Sequence, residues 1–380
     1  MSTFQKTALF GGAFDPVHKG HTALAASVAE EFNLSEVVAV PAGGPPWKTA
    51  SASAQDRLAM CRLAFQSVPH VTVSDFEIVS QQKPSYTYKT LEHFHTLLGY
   101  PPFFIVGADA VPGILDWKEP EQIAAHSTLI VAGRMPYDHA LEGAIGEYRD
   151  KTGGKVLLSR AKAPDISSTE IRILHSFGED LSAYLDPAVI EYVETRGLYM
   201  QYAAVARAIK NLVDGERYRH TASVATVAYK LAGRYGADPA RAVRAALYHD
   251  CAKRITAEEA AQKFGLDVPR EIFALHPKIR HAPIGALYAQ KYFNETDADV
   301  LNAIRWHTTG RPDMSLLEKI IFVADYIDPL RAYDDTPLMY ETAFRDLEKA
   351  MQCKYAEIEE QKKVEKCGRR RPSPELRIEN

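Results

Sequence analysis

Along the first half of the chain, short runs of consecutive apolar residues alternate with longer stretches whose apolar positions recur every three or four residues. Thr7–Phe10, Val37–Val40, Val71–Val73, Phe103–Val106, Leu129–Val131 and Val156–Leu158 belong to the first kind. Unbroken apolarity suits strands covered on both faces, so these six segments are predicted as strands of a parallel sheet. Thr22–Phe32, Ala54–Gln66 and Thr87–Leu98 carry the helical period between them. Strand–helix alternation predicts an α/β unit that binds its ligands beyond the carboxyl ends of the strands.

After residue 200 the strand pattern stops. Tyr202–Leu212, Ala222–Arg234, Ala240–Tyr248, Pro283–Phe293, Asp297–Trp306, Leu316–Tyr326 and Tyr340–Met351 all carry apolar residues at helical spacing, which predicts an all-α unit. The expected division is therefore 1–199, 200–351 and a polar tail, 352–380, that is expected to be disordered, its stretch Gln361–Asn380 breaking every period. A chain of 380 residues accommodates two such units. Its 45 basic against 49 acidic residues disfavour a nucleic-acid binder, which normally carries a basic excess. No apolar run reaches the roughly 20 residues of a membrane helix. The four cysteines are too scattered for a paired metal or redox motif and suit a reducing compartment, so the expected location is the cytoplasm.

Gly11-Gly12-Ala13-Phe14-Asp15-Pro16-Val17-His18-Lys19-Gly20-His21 follows the first strand and opens a helix. Backbone amides and the helix dipole favour an anion at such a junction, and two glycines let a phosphate approach closely. His18 and His21, three residues apart, would stack near the helix start and face the same polyphosphate. The dinucleotide-binding and P-loop glycine patterns are missing, which argues against a dehydrogenase and a P-loop enzyme.

The undecamer resembles the signature of the nicotinate-nucleotide adenylyltransferases, within the H-x-G-H nucleotidylyl transferase superfamily. Further segments extend the resemblance over about 200 residues: Pro45-Pro46-Trp47-Lys48, with Trp47 where the family has His; Ser85-Tyr86-Thr87; Gly107-Ala108-Asp109 followed by Trp117; and Ile166-Ser167-Ser168-Thr169-Glu170-Ile171-Arg172. It implies a Rossmann-like fold and transfer of AMP from ATP to nicotinate mononucleotide, with Mg²⁺ assisting. By resemblance Gly11, Gly12, Phe14, Asp15, His18 and His21 belong to the ATP side, with Ser168, Thr169 and Arg172 at a second helix start. Ser85, Tyr86, Thr87, Gly107, Asp109 and Trp117 belong to the pyridine nucleotide side, and Lys48 and Arg134 are partners for substrate phosphate. The attacking phosphate is already anionic, so alignment and charge neutralisation suffice without a general base. A phosphopantetheine adenylyltransferase would lack the S-Y-T and G-A-D…W segments, and a class I tRNA synthetase would need a lysine-rich loop and an anticodon domain.

The helical half carries His220, His249-Asp250, His281, His307 and Asp325, each within or at the end of an amphipathic helix. Six imidazole and carboxylate ligands exceed the need of one tetrahedral ion and suggest two metals of the Fe, Mn, Zn or Ni kind. The ordered segments Arg219-His220-Thr221, His249-Asp250-Cys251-Ala252-Lys253, His281-Ala282-Pro283, Arg305-Trp306-His307 and Ala324-Asp325 resemble the HD-domain metallophosphohydrolases. Within these they are most similar to the bacterial family that hydrolyses diadenosine tetraphosphate to two ADP. The resemblance implies a pair of divalent ions, iron first, with Asp250 as shared ligand and Lys253 and Arg331 as phosphate donors. It stops after Met351. A nucleotide phosphatase or phosphodiesterase, or a non-catalytic nucleotide sensor, are the alternative readings of this half.

Overall fold

The computed structural model describes residues 6–44, 50–80, 84–132, 139–161, 164, 166–331 and 336–366. The chain divides into two compact units that part between Met200 and Gln201, with Ser176–Glu179 grouped with the second.

The first unit is built on six strands: β1 Thr7–Gly12, β2 Glu36–Pro41, β3 Val71–Val73, β4 Phe103–Gly107, β5 Thr128–Ala132 and β6 Val156–Leu158. They pair in the order β3-β2-β1-β4-β5-β6, and every pair is parallel. Strand alternation sends successive side chains to opposite faces. Ala8 and Phe10 of β1 join one core with Ala25, Val28, Met60 and Phe65, from helices α1 (Lys19–Glu31) and α2 (Ala54–Phe65). Leu9 faces the other core, with Leu91 and Phe94 of α3 (Thr87–Leu98) and Val106 of β4. Each fully buried side chain of this size contributes about 1.5–3 kcal/mol, so both faces are strongly held. The strand order reverses between β1 and β4, the switch point where such sheets open a crevice.

Arg57 of α2 explains how that crevice keeps its shape. It is buried, and its guanidinium donates to Ala13 O and to Ala42 O, both at 2.6 Å. These carbonyls lie just past the ends of β1 and β2, so one side chain ties two strand ends together.

The second unit is helical: α4 (Ala203–Leu212), α5 (Gly215–Tyr235), α6 (Pro239–Tyr248), α7 (His281–Tyr292), α8 (Ala298–Trp306), α9 (Leu316–Tyr326), α10 (Thr336–Arg345) and α11 (Leu347–Lys366), with shorter turns between. α5 begins seven residues before the predicted Ala222 because Asp214 caps it, accepting from Arg217 N at 2.8 Å. The predicted helix Tyr340–Met351 is two helices. Asp346 ends one and caps the next, its carboxylate accepting from Lys349 N at 3.0 Å.

The tail expected from residue 352 is corrected as far as Lys366, because α11 runs straight through it. Its buried face is Leu347, Ala350 and Lys354. A lysine at the third of these positions interrupts the apolar period that would have announced the helix. Residues 367–380 lie outside the described residues. Among the described residues no helix is long and apolar enough to cross a membrane.

Replacing Arg57 with Met removes two charge-assisted hydrogen bonds and leaves two carbonyls without this donor. The first unit should lose about 2–4 kcal/mol, read as an earlier urea transition with unchanged secondary structure in the folded baseline.

Candidate functional sites

β1 ends at Gly12, and the chain turns through Phe14 at φ 48° before His18 caps α1 in an extended conformation. His18 N donates to His21 Nδ1 at 3.2 Å, which makes that nitrogen an acceptor and places the neutral ring's proton on Nε2. The two imidazoles stack with centroids 3.7 Å apart, as the spacing of three predicts. His21 also meets the edge of Phe14, centroids 5.0 Å apart. Phe14 is buried beneath the turn, and a β-carbon on Gly12 would sit 3.1 Å from its ring. Phe14 therefore supports the cradle from below.

Asp15 is likewise buried. Its carboxylate accepts from Ser51 N at 2.6 Å, Ala52 N at 3.0 Å and the Tyr199 hydroxyl at 2.9 Å. Its own carbonyl accepts from Arg172 Nη1 at 2.6 Å. Ser168 Oγ donates to Pro16 O at 2.9 Å, and Arg172 Nη2 donates to Thr169 Oγ1 at 2.8 Å. The Ser168–Arg172 segment and the Gly11–His21 turn are thus joined as one structure. Asp15 and Arg172 act there as buried struts, and their polar atoms named here point into the protein.

Gly11, Gly12, Ser85, Tyr86, Thr87 and Trp117 line a cavity of about 260 Å³, whose walls also include Leu9, Phe104 and Glu77. Trp117 stands edge-on to Phe104, centroids 6.4 Å apart. Asp109 is exposed beyond β4 and folds back over Gly107, where a β-carbon would meet its Oδ1 at 2.3 Å. His18, His21 and Asp109 are outside the cavity wall. Lys48 and Arg134 lie outside the described residues.

Glu77 was not singled out from sequence, where it reads as surface. It accepts from Thr90 Oγ1 at 2.7 Å and Gly43 N at 3.4 Å. Ser85 Oγ in turn accepts from Gly44 N at 3.0 Å. Burial pushes the Glu77 carboxyl up, against the donors from Thr90, Ser85 and Gly43. A β-carbon on Gly43 would lie 2.1 Å from Glu77 O, so this contact between the turn after β2 and the short helix Phe76–Val79 requires glycine.

In the second unit the six predicted ligands converge. His249 and His307 follow the last residues of α6 and α8, and each points Nδ1 at a carbonyl three residues back: Ala246 O at 2.6 Å and Ile304 O at 2.7 Å. That bond places the proton on Nδ1 and aims the Nε2 lone pair inward. His220 Nε2 lies 3.2 Å from Asp325 Oδ1, and His249 Nε2 lies 3.5 Å from Asp250 Oδ2. Asp250 Oδ1 lies 3.2 Å from His281 Nε2 and 3.5 Å from His307 Nε2. Two ligand groups result, His220–His249–Asp250 and Asp250–His281–His307, sharing Asp250.

The electrostatics suit cations. Burial pushes His249 down to about 3 and also lowers His281, keeping both neutral. Burial alone would raise Asp250, but His249, His281, His307 and Lys253 outweigh it and hold the carboxyl well below its ordinary range. Arg331, Lys354 and His220 do the same for Asp325. His249 Nε2 and Asp250 Oδ1 are buried without a hydrogen-bond partner among the described residues. Such orphaned lone pairs are costly unless a cation meets them. The residues present therefore fit a pair of divalent ions.

Four further residues complete the centre. Lys253 Nζ lies 3.0 Å from His281 Nε2, and Arg331 Nη2 donates to Asp325 Oδ1 at 2.5 Å. Arg217, one helical turn before His220, donates to Asp250 Oδ2 at 2.8 Å. Asp328 is fully buried, its Oδ2 2.5 Å from His220 Nδ1 and its Oδ1 accepting from Ser223 Oγ at 2.5 Å. Arg217 and Asp328 were missed from sequence. Arg217 shares a helix with His220 at an offset of three, the signal that would have found it, whereas Asp328 lies past the end of α9.

A cytidylyltransferase-like family model matches residues 9–173, and an HD domain model matches residues 217–330. A probable nicotinate-nucleotide adenylyltransferase/Ap4A hydrolase of Mycoplasma genitalium is 28% identical over 334 residues, 86% of this chain and 88% of that protein. A probable nicotinate-nucleotide adenylyltransferase of Caldicellulosiruptor bescii is 36% identical over 195 residues, covering 51% of this chain and 98% of that protein. A symmetrical bis(5'-nucleosyl)-tetraphosphatase of Bacillus subtilis is 42% identical over 144 residues, covering 38% of this chain and 77% of that protein.

Asp328 tests the second centre independently of these likenesses. Asp328→Asn keeps the shape but removes the charge that orients and enriches His220. Binding of Mn²⁺ to the metal-stripped protein, followed by calorimetry, should weaken about 10–100-fold.

Proposed function

The chain belongs to the nicotinate-nucleotide adenylyltransferases over its first half and to the HD-domain symmetrical bis(5'-nucleosyl)-tetraphosphatases over its second, and from this we propose that it carries both activities. The first unit transfers AMP from ATP to nicotinate mononucleotide, giving deamido-NAD and pyrophosphate. The second hydrolyses diadenosine tetraphosphate to two ADP.

In the transfer, an oxygen of the 5′-phosphate forms a bond to the α-phosphorus of ATP while the bond to the β-phosphate oxygen breaks. The nucleophile is anionic at neutral pH, so the protein's work is alignment and charge neutralisation. The amides after Gly11, the stacked His18 and His21, and the helix start at Ser168 and Thr169 face the triphosphate. Mg²⁺, when bound, would add further neutralisation of the phosphates. Trp117 and the Ser85–Thr87 turn hold the pyridine nucleotide in the cavity, and Asp109 accepts from a ribose hydroxyl. The observation supporting this half most directly is that Gly11, Gly12, Ser85–Thr87 and Trp117, scattered over more than 100 residues, line one cavity at the β1–β4 switch point.

In the hydrolysis, the elements of water are added across the central anhydride: one P–O bond forms, one breaks, and the two ADP leave. His220, His249, Asp250 and Asp325 would hold one ion and Asp250, His281 and His307 the other, with iron the preferred occupant. When bound, the pair supplies Lewis-acid activation of water and neutralises phosphate oxygens. Arg217, Lys253 and Arg331 crowd the carboxylate oxygens and are placed to donate to the polyphosphate. The sharing of Asp250 between two ligand groups supports this reading most directly, since a nucleotide sensor needs no such pair.

With ATP, Mg²⁺ and nicotinate mononucleotide, the protein should release pyrophosphate, and His18→Ala should slow release by about 10²–10³-fold. An unchanged rate in a His18→Ala/His21→Ala protein would overturn the assignment. Diadenosine tetraphosphate should yield ADP alone. Chelation or His249→Ala should abolish that yield while pyrophosphate release continues in the His249→Ala protein; AMP plus ATP as products would mean a different hydrolase.

A further inference from the structure

Lys354 is a buried cation that neither ligand group nor the phosphate-facing side chains account for. It lies on α11, beyond residue 330 where the HD domain match ends and beyond Met351. An ammonium has three N–H donors, and this one has three acceptors: Phe322 O at 2.6 Å, His307 O at 3.0 Å and Asp325 Oδ2 at 3.3 Å. Its nitrogen also sits over the Phe322 ring, 4.1 Å from the centroid.

Two of those acceptors belong to ligand residues from different helices. His307 stands at the end of α8, where a backbone carbonyl has no partner within its own helix, and Lys354 supplies one. Asp325 directs Oδ1 at His220 and gives Oδ2 to the lysine. One carboxylate is thereby divided, one oxygen for the ligand cluster and one for the anchor.

We propose that Lys354 is a positioning residue of the metal centre, by which α11 fixes Asp325 of α9 and His307 of α8 in ligating register. The inference rests on the reading of the cluster as a metal site. It makes the last helix part of the HD centre. A shorter or apolar side chain at 354 would leave His307 O and Asp325 Oδ2 without this donor, and the carboxylate would be held through Oδ1 alone, by Arg331 and His220.

The test uses the full chain, stripped of metal and titrated with Mn²⁺ in a calorimeter, with Co²⁺ absorption as a spectroscopic readout. Lys354→Met should bind the ion on the Asp325 side about 10–100-fold more weakly and change the Co²⁺ ligand-field bands. Lys354→Gln, which retains an amide donor, should fall between Met and the parent. Lys349→Met, on the exposed side of the same helix, should match the parent. Failure of the parent to bind Mn²⁺ or Co²⁺ would defeat the metal reading itself. Parent-like affinity and spectrum in folded Lys354→Met and Lys354→Gln would defeat only the role of Lys354. Collapse of the helical circular dichroism in both would also defeat it, by making the lysine a general packing element.

Discussion

Three carboxylates, Asp15, Asp250 and Asp325, are buried or nearly so, and both sites depend on how each is answered. An ionised carboxylate removed from water is costly by several kcal/mol unless donors or positive charge surround it. Asp15 is answered wholly by the protein: two amides and a tyrosine hydroxyl take its oxygens. Asp325 is met by Arg331 at Oδ1 and Lys354 at Oδ2, whereas Asp250 is answered only in part. Arg217, Lys253, Arg331 and Lys354 contact them, yet Asp250 Oδ1 still lacks a hydrogen bond among the described residues and four imidazoles aim Nε2 at the same space. The first pattern describes a strut. The second describes a place kept for cations.

The same contrast orders the first unit. Its sheet delivers Gly12 and Gly107 to neighbouring strand ends, but strand ends do not hold loops in place. Arg57 ties Ala13 to Ala42, Arg172 ties Asp15 to the Ser168 helix, and Glu77 ties the Gly43 turn to α3. Arg57 and Arg172 brace the crevice from behind, while the half-buried Glu77 also forms part of the cavity wall. Preorganised donors are worth most where the reacting groups are already charged, because nothing must reorganise as the new bond forms.

The strands and most helices were legible in the sequence because burial on both faces leaves an unbroken apolar run and an amphipathic helix leaves a period of 3.6. The six candidate ligands were legible because histidine and aspartate are conspicuous at the ends of apolar helices. What escaped notice has one physical cause. Arg57, Glu77, Asp328 and Lys354 are polar residues at buried or half-buried positions, and each is bonded to partners distant in sequence, from 13 residues for Glu77 with Thr90 to 108 for Asp328 with His220. A pattern read locally counts such residues as surface. Lys354, polar on the buried face of α11, also hides from a local pattern the helix that carries it. Phe14 and Asp15, marked in the sequence by the motif alone, are buried within the turn and brace it.

Both units handle polyphosphate, and the chemistry of each explains why they use different means. A phosphate nucleophile arrives charged, so amides, imidazoles and a helix start are enough to steer it. Water arrives neutral and is a poor nucleophile, so hydrolysis needs a stronger electrophilic environment than side-chain donors provide. The histidines mirror this difference. His18 and His21 stack over a turn with one nitrogen fixed as an acceptor, a geometry for sharing protons with phosphate oxygens. His249 and His307 commit their protons to backbone carbonyls and turn Nε2 toward the cluster, without a hydrogen-bond partner among the described residues in His249 and 3.1 Å from Thr308 Oγ1 in His307, a geometry that serves a cation. The backbone carbonyl three residues behind the histidine makes the difference. It is available only because these two histidines stand at helix ends, where the local hydrogen bonding leaves such carbonyls open to a side-chain donor.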